Sequence, residues 1–431
     1  MNYLVRSIIL IQFLIYTITS QAAKVFTTED KTYENNIKTV LLYPLYNLDD
    51  VTKPINPPIV HISQPYPLIL EFDEIGNDYN SYYAKIIHCN ADWTVSSLSP
   101  VNYIDDYDEF YITNRRGSVN TRIPYVHYMY NLPKVNMSGN FVVKVYRNSD
   151  EDDIILTKRF CVYENQIGIN PTVKFSTDPS VRNVNEQVDF NISYGNVEVI
   201  NPLQNLKVVL RQNNRWNKTI TGLIPTTINQ ESRYLEYFYF NRENNFPGGN
   251  EYRIIEIKSA LYNGMNVMKV KRDDNHAEAI VYADKSRAGE AYVQPLVPDM
   301  DGKFYIVNQE TGDTEIMADY MFVTFNFESP TPAPGKVYVF GGLTDWKLDK
   351  SFEMNYNNEE KKYTCKVLLK QGVYNYSYVL ANPQNGTVDE NYYEGSYSVT
   401  QNVYDILVYY RPFGSRADLL LGYKSVNYLK R

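Results

Sequence analysis

Apolar and polar residues alternate with period two along almost every ordered-looking segment of this chain, and Gly, Asn, Asp or Pro closes each run. Alternation at that period turns one strand face inward and the other outward. No window sustains apolar residues at i, i+3, i+4 and i+7, so amphipathic helices are not expected. Short strands with regular turn signals predict an all-β chain of sandwiches rather than parallel α/β layers.

Four hairpins are legible. Residues 139–163 form the clearest, with its turn over 148–152. Residues 206–220 form a second around Asn213-Asn214. A third spans 234–257 around Phe246-Pro247-Gly248-Gly249, and a fourth spans 363–380, turning at Lys370-Gln371-Gly372. Prolines within 329–335 cannot hold a central strand, because each removes a ladder donor. That segment should separate two strands.

A length of 431 residues is too great for one sandwich and suits about three domains. Composition shifts put linkers at 165–171 and 283–291. The expected division is a signal peptide at 1–22 and sandwiches at 23–165, 166–288 and 289–431. The signal reading rests on Arg6, the apolar stretch 8–16 and the small residues of Ser20-Gln21-Ala22, with cleavage near Ala22. No Cys follows the apolar run, which argues against a lipoprotein anchor, and no later stretch reaches the roughly 18 apolar residues of a membrane helix. The mature chain is therefore expected to be soluble outside the cytoplasm, without direct membrane insertion. A transmembrane barrel is disfavoured by short strands, interrupting prolines and charges on both strand faces.

Charge narrows the partners. The net charge is −8, and the densest basic run, Lys269-Val270-Lys271-Arg272, is followed at once by Asp273-Asp274-Asn275. Neither nucleic acid nor anionic lipid is an expected ligand. Three cysteines leave at least one thiol free. Cys89 and Cys161 fall in one domain and either pair or stand as buried small hydrophobes, as Cys365 should.

The search for chemistry finds little. The four histidines, His61, His88, His127 and His276, show no zinc spacing; His88 and His127 could meet in the first fold, but satisfied structural imidazoles are the expected reading. No nucleophile elbow or phosphate-binding glycine pattern is present. Asp299-Met300-Asp301-Gly302 resembles the start of a calcium loop but lacks the later ligands. Asp105-Asp106 and Asp152-Asp153 sit in acidic loops where solvation is the plain reading. No enzyme activity, cofactor or metal is expected. Asp92-Trp93 reads as a core plug at a sandwich end with its indole N–H satisfied locally.

Two aromatic-rich signatures carry more. The first is His88-Cys89-Asn90-Ala91-Asp92-Trp93, then Ser97-Leu98, Tyr103 and Arg122 through Tyr128. The second is Val337 through Trp346, answered by Leu368 through Tyr376 and by the tail Tyr404 to Arg411, Arg416-Ala417-Asp418 and Leu421-Gly422-Tyr423. In that order they resemble the plug protein family of the bacterial type IX secretion system. A bias to Asn, Lys, Ile and Tyr fits the AT-rich genomes of many Bacteroidetes.

The resemblance implies a non-enzymatic periplasmic protein associated with the outer membrane. It implies a stiff rod of immunoglobulin-like and E-set sandwiches that seals the large outer-membrane translocon barrel. Tyr103, Asp105, Asp106, Tyr107 and Tyr111 are expected to anchor that partner, since Tyr is favoured at interface hot spots.

The third domain also resembles the glycogen-binding type of E-set sandwich. That second resemblance implies a carbohydrate-binding alternative using Trp346 and Asn402. The family's lysine falls on Ser377, however, and its second tryptophan near Gly386-Thr387 is missing.

Overall fold

The computed structural model describes residues 24–46, 50–65, 67–105, 107–310 and 312–429. The expected signal peptide lies outside them. Among the described residues almost all regular structure is strand, arranged in six sheets, none of which closes into a barrel. The sheets pack in pairs around three apolar cores.

The first sandwich faces a sheet built on Tyr82–Cys89, Gly139–Arg147 and Asp150–Tyr163 against one ordered Ile37–Pro44, Leu68–Ile75, Tyr125–Asn131, Asn114–Gly117. Leu70, Phe72, Ile86, Tyr128, Phe141 and Val143 fill the space between them. The expected 139–163 hairpin forms, and its turn is tighter than expected: Asn148 and Ser149 both take positive φ, 54° and 57°. Two consecutive left-handed residues match the twist of the flanking strands. The second expected hairpin also forms, with Val209–Arg211 against Thr219–Thr221 and positive φ at Asn213 and Asn214.

Two hairpin expectations are overturned. Residues 234–257 do not fold back on themselves: Tyr234–Tyr237 pairs with Asn185–Ser193, whereas Arg253–Glu256 pairs with Gly372–Ala381. Here the chain leaves the second sandwich for the third. The returning segment runs alongside, so that a Cβ on Gly248 would strike the Tyr397 carbonyl. Residues 363–380 turn at the expected place, yet Lys362–Lys370 and Gly372–Ala381 lie in opposite sheets. The turn is a buried corner. Gln371 accepts from the Asp319 N–H at 2.6 Å and Lys370 reaches into the first sandwich, so neither side chain is available to a solvent turn.

The domain division at 288/289 needs correction in the same way. Asn402–Tyr410 and Leu419–Tyr428 add to Leu206–Gln212, in the second sandwich. Tyr404, Ile406, Val408 and Leu421 sit in its core with Val188, Phe190 and Leu210. The third sandwich is thus inserted within the second, and its core runs from Ile255 to Tyr393. The expected linker at 165–171 is largely strand, Gly168–Phe175.

Nor do the three sandwiches make a rod. The first touches the second, the second touches the third, and the third returns to the first through Asp73, Tyr125 and Arg122. The body is a closed triangle.

Candidate functional surface and the seams behind it

The predicted anchor loop is only partly displayed. Tyr107 is 80% exposed and Tyr111 41% exposed, the latter leaning on the Tyr83 ring at 5.1 Å. Asp105 is exposed and accepts from Asn136 Nδ2 at 2.6 Å. Asp106 lies outside the described residues. Tyr103 cannot serve as an anchor: it is 2% exposed, packs near Phe141, and donates to the Ile86 carbonyl at 3.0 Å. Tyr103 follows the 3-10 turn Pro100–Asn102, where Val101 is exposed and Tyr103 buried, so no local alternation marked it as core.

The carbohydrate pair is not brought together. The guanidinium of Arg215 covers the Trp346 ring at 3.9 Å, and Tyr252 and Phe340 meet the same indole edge-on, each with centroids 5.7 Å away. Asn402 is buried in the second sandwich, donating to Glu186 at 3.0 Å and to the Gly248 carbonyl at 2.9 Å. This arrangement does not offer the open stacking face a sugar ring needs.

His88 and His127 do not meet. His88 is buried against Tyr103 and Phe141, and burial lowers its pKa to about 4. His127 instead belongs to the seam between the first and third sandwiches. There Asp73, 1% exposed in the Leu68–Ile75 strand, is the hub. Its Oδ1 is 2.7 Å from His127 Nδ1, and its Oδ2 accepts from Tyr320 OH and Lys370 Nζ, both at 2.7 Å. Tyr320 OH also meets Thr39 Oγ1 at 2.6 Å. Burial pushes the Asp73 carboxyl up, but the Lys370 charge and the His127 hydrogen bond outweigh it and hold the pKa below the ordinary carboxylate value. Around this hub Arg122 pairs with Asp319 at 2.8 Å and Arg116 with Asp313 at 3.2 Å. Two hollows flank it, of about 580 and 440 Å³, both touching Thr39 and Lys370.

The first–second seam is built differently. Cys89, Trp93, Val142 and Cys161 meet Val209, Leu407, Tyr409 and Leu420 in one apolar cluster. Trp93 and Trp216 pack edge to face at 4.7 Å, with Arg159 and Arg211 each 4.3 Å over one indole. Trp93 takes a φ of 65°, and its indole nitrogen has no hydrogen-bond partner among the described residues, contrary to expectation. Cys89 and Cys161 are separate free thiols that burial pushes up to about 12.

Sequence reasoning missed Asp73 and Lys370. The available signal was a carboxylate inside the apolar strand Leu68-Ile69-Leu70-Glu71-Phe72-Asp73, where an unpaired charge would not be tolerated.

Comparison with known proteins agrees with the first aromatic signature. The first domain of the type 9 secretion system plug protein matches residues 37–164, which is the first sandwich. The crystal structure of a hypothetical protein from Parabacteroides merdae ATCC 43184, at 2.30 Å resolution, is 33% identical. The match covers 94% of this chain and 100% of that one, with a TM-score of 0.86. A Dpr2 Ig1-Ig2 complex with DIP-Theta Ig1-Ig3 is 10% identical, with 90% of this chain and 98% of that one covered, but at a TM-score of 0.11 it carries no argument. No curated protein matches the chain. Taken with the three-sandwich fold, these matches show that the chain belongs to the type 9 secretion system plug protein family.

Proposed function

We propose that this protein is exported to the periplasm and closes the periplasmic opening of the type IX outer-membrane translocon by steric obstruction. The observation that carries the reading is the family match over the first sandwich, since that family is one of non-catalytic secretion components. The closed triangle of sandwiches suits the task. A body that blocks a pore must not yield, and three seams that each restrain the other two resist bending better than a rod of independent domains.

The contact would be sizeable, on the order of 1,200–2,000 Å² in total for a specific stable interface. The exposed loop bearing Asp105, Tyr107 and Tyr111 is the proposed contact on this side. Affinity purification of a tagged chain from detergent-solubilised envelopes of its own host, with mass spectrometry of partners, tests the reading. Recovery of one very large outer-membrane barrel protein is expected. Its absence, under conditions that preserve other envelope complexes, overturns the proposal.

A further inference from the structure

The chain crosses between the second and third sandwiches twice, at 248–252 on the way out and at 394–401 on the way back. Three carboxylates pin those crossings. Glu251, on the outward crossing, accepts from the Gln401 N–H of the return at 2.9 Å and from Tyr292 OH at 2.6 Å. Glu186 accepts from Tyr404 OH at 2.6 Å and from Asn402 Nδ2 at 3.0 Å, and Asn402 also donates to the Gly248 carbonyl. Asp299 accepts from the N–H groups of Tyr252 and Asp301. Glu186 and Glu251 are 0% and 3% exposed.

Every donor to these three carboxylates is neutral, and among the described residues none of the three has an ion pair. The cations around them are committed elsewhere. Arg215, which donates to Tyr252 OH at 3.1 Å, pairs with Glu390 at 2.7 Å, as Lys218 does at 3.1 Å. Arg253 and Arg287 pair with Glu394 at 3.0 and 2.7 Å, and Arg287 meets Glu251 only through its backbone carbonyl. Lys303 donates to the Ile55 carbonyl at 2.9 Å. Among the described residues no acidic, histidine or cysteine groups converge closely enough to hold a metal ion.

Buried carboxylates lying close together without a cation cannot all ionise, so protons must serve as their counter-ions. Burial, with the facing charges of Asp301 and Glu251, pushes Asp299 up to about 7. Burial also lifts Glu186 well above the ordinary carboxylate value, despite the Tyr404 and Asn402 hydrogen bonds, and Glu251 adds to the rise. We propose that these carboxylates form a proton-held latch, which keeps the two crossings together while protonated and loosens the second sandwich from the third as the medium turns alkaline. For Asp299 the charging penalty is absent below its ordinary value of 3.8, grows as pH rises, and is complete above about 7. The crossings are therefore tightest in acid. The inference does not depend on the plug reading, because it concerns the isolated chain.

The test is hydrogen exchange on the full purified chain at about pH 5.5 and about pH 8, with each rate divided by its intrinsic chemical rate. Protection at Tyr252, Tyr397 and Gln401 is expected to fall about fivefold or more at the higher pH, while Gly139–Arg147 in the first sandwich keeps its protection. Glu251→Gln removes a charge yet keeps both hydrogen bonds, since Tyr292 and Gln401 share Oε1. This variant should match the unmodified chain at the lower pH and be the better protected of the two at the higher. Its thermal midpoint should likewise fall less between the two pH values. Four results would each overturn the proposal. They are equal protection of the unmodified chain at both pH values, the same fall in Glu251→Gln, weaker protection of Glu251→Gln at both, or protection restored at the higher pH by millimolar calcium. The third would leave Glu251 a structural residue, and the fourth would assign the carboxylates to a cation.

Discussion

The seam between the first and second sandwiches and the seam between the first and third do the same mechanical work with different chemistry at their centres. The former is an apolar cluster around Cys161, Leu407 and Tyr409, continuous with strands of both sandwiches. The latter is centred on one buried ion pair, Asp73 with Lys370, backed by Tyr320 and His127. Apolar burial is non-directional and tolerates small shifts, whereas a buried ion pair holds only if its geometry and hydrogen bonds are complete. The contrast predicts that the two seams respond to different perturbations. The first–third seam, being directional, fixes the register of its two sandwiches.

Breaking the centre of each seam gives the largest effects. Lys370→Met leaves the Asp73 charge buried without its main counter-ion and should cost about 3–5 kcal/mol, read by chemical denaturation. Leu407→Ala, in the apolar seam, should cost about 2–4 kcal/mol through lost transfer energy and the cavity left behind. Hydrogen exchange sharpens the comparison. Lys370→Met should expose amides of Tyr125–Asn131 and Tyr320–Glu328, while Leu407→Ala should leave those protected and loosen Asn402–Tyr410. If both variants loosened the same strands, the two seams would not be separate units.

Acid should act on the charged seam. The folded pKa of Asp73 lies below its ordinary value of 3.8. Its contribution is therefore fully present above that value and is lost as pH falls from it toward the folded pKa. Exchange at Tyr125–Asn131 should rise over that window, and Asp73→Asn should flatten the dependence while lowering stability at neutral pH. An unchanged acid limb in Asp73→Asn would show that other carboxylates govern the opening.

What was legible in the sequence follows the same division. Period two and turn residues gave the strands of the first sandwich, because the pairing of Gly139–Arg147 with Asp150–Tyr163 is local. They failed at 234–257 and 363–380, where adjacent strands belong to different sheets. Nothing in the local pattern distinguishes a solvent turn from a corner whose Lys370 is claimed by Asp73, 297 residues away. The insertion of the third sandwich was hidden for the same reason, since Val208 meets Val408 only in the fold. At the candidate surface, Tyr107 and Tyr111 are displayed as tyrosines in an acidic loop suggest, but Tyr103 is spent on the core.

Smaller effects test whether the weight of each seam lies at its centre. Tyr409→Phe removes one buried hydrogen bond, 2.8 Å to Asn140 Oδ1, and should cost about 1 kcal/mol without pH dependence.

The rim of the charged seam should matter least. The Arg116 side chain is 41% exposed and its partners Asp313 and Glu315 are 38% and 32% exposed, so water already screens the pairs. Arg116→Gln should cost no more than about 1 kcal/mol in dilute buffer. That difference should vanish near 1 M salt, where the Debye length falls to about 3 Å. The Lys370→Met loss should persist there, because no ions reach a pair whose members are 2% and 1% exposed. A salt-resistant loss at Arg116 comparable to that at Lys370 would move the weight of the seam to its rim. The first–third contact would then be a distributed polar surface rather than one buried pair, and opening it would take many small changes instead of one.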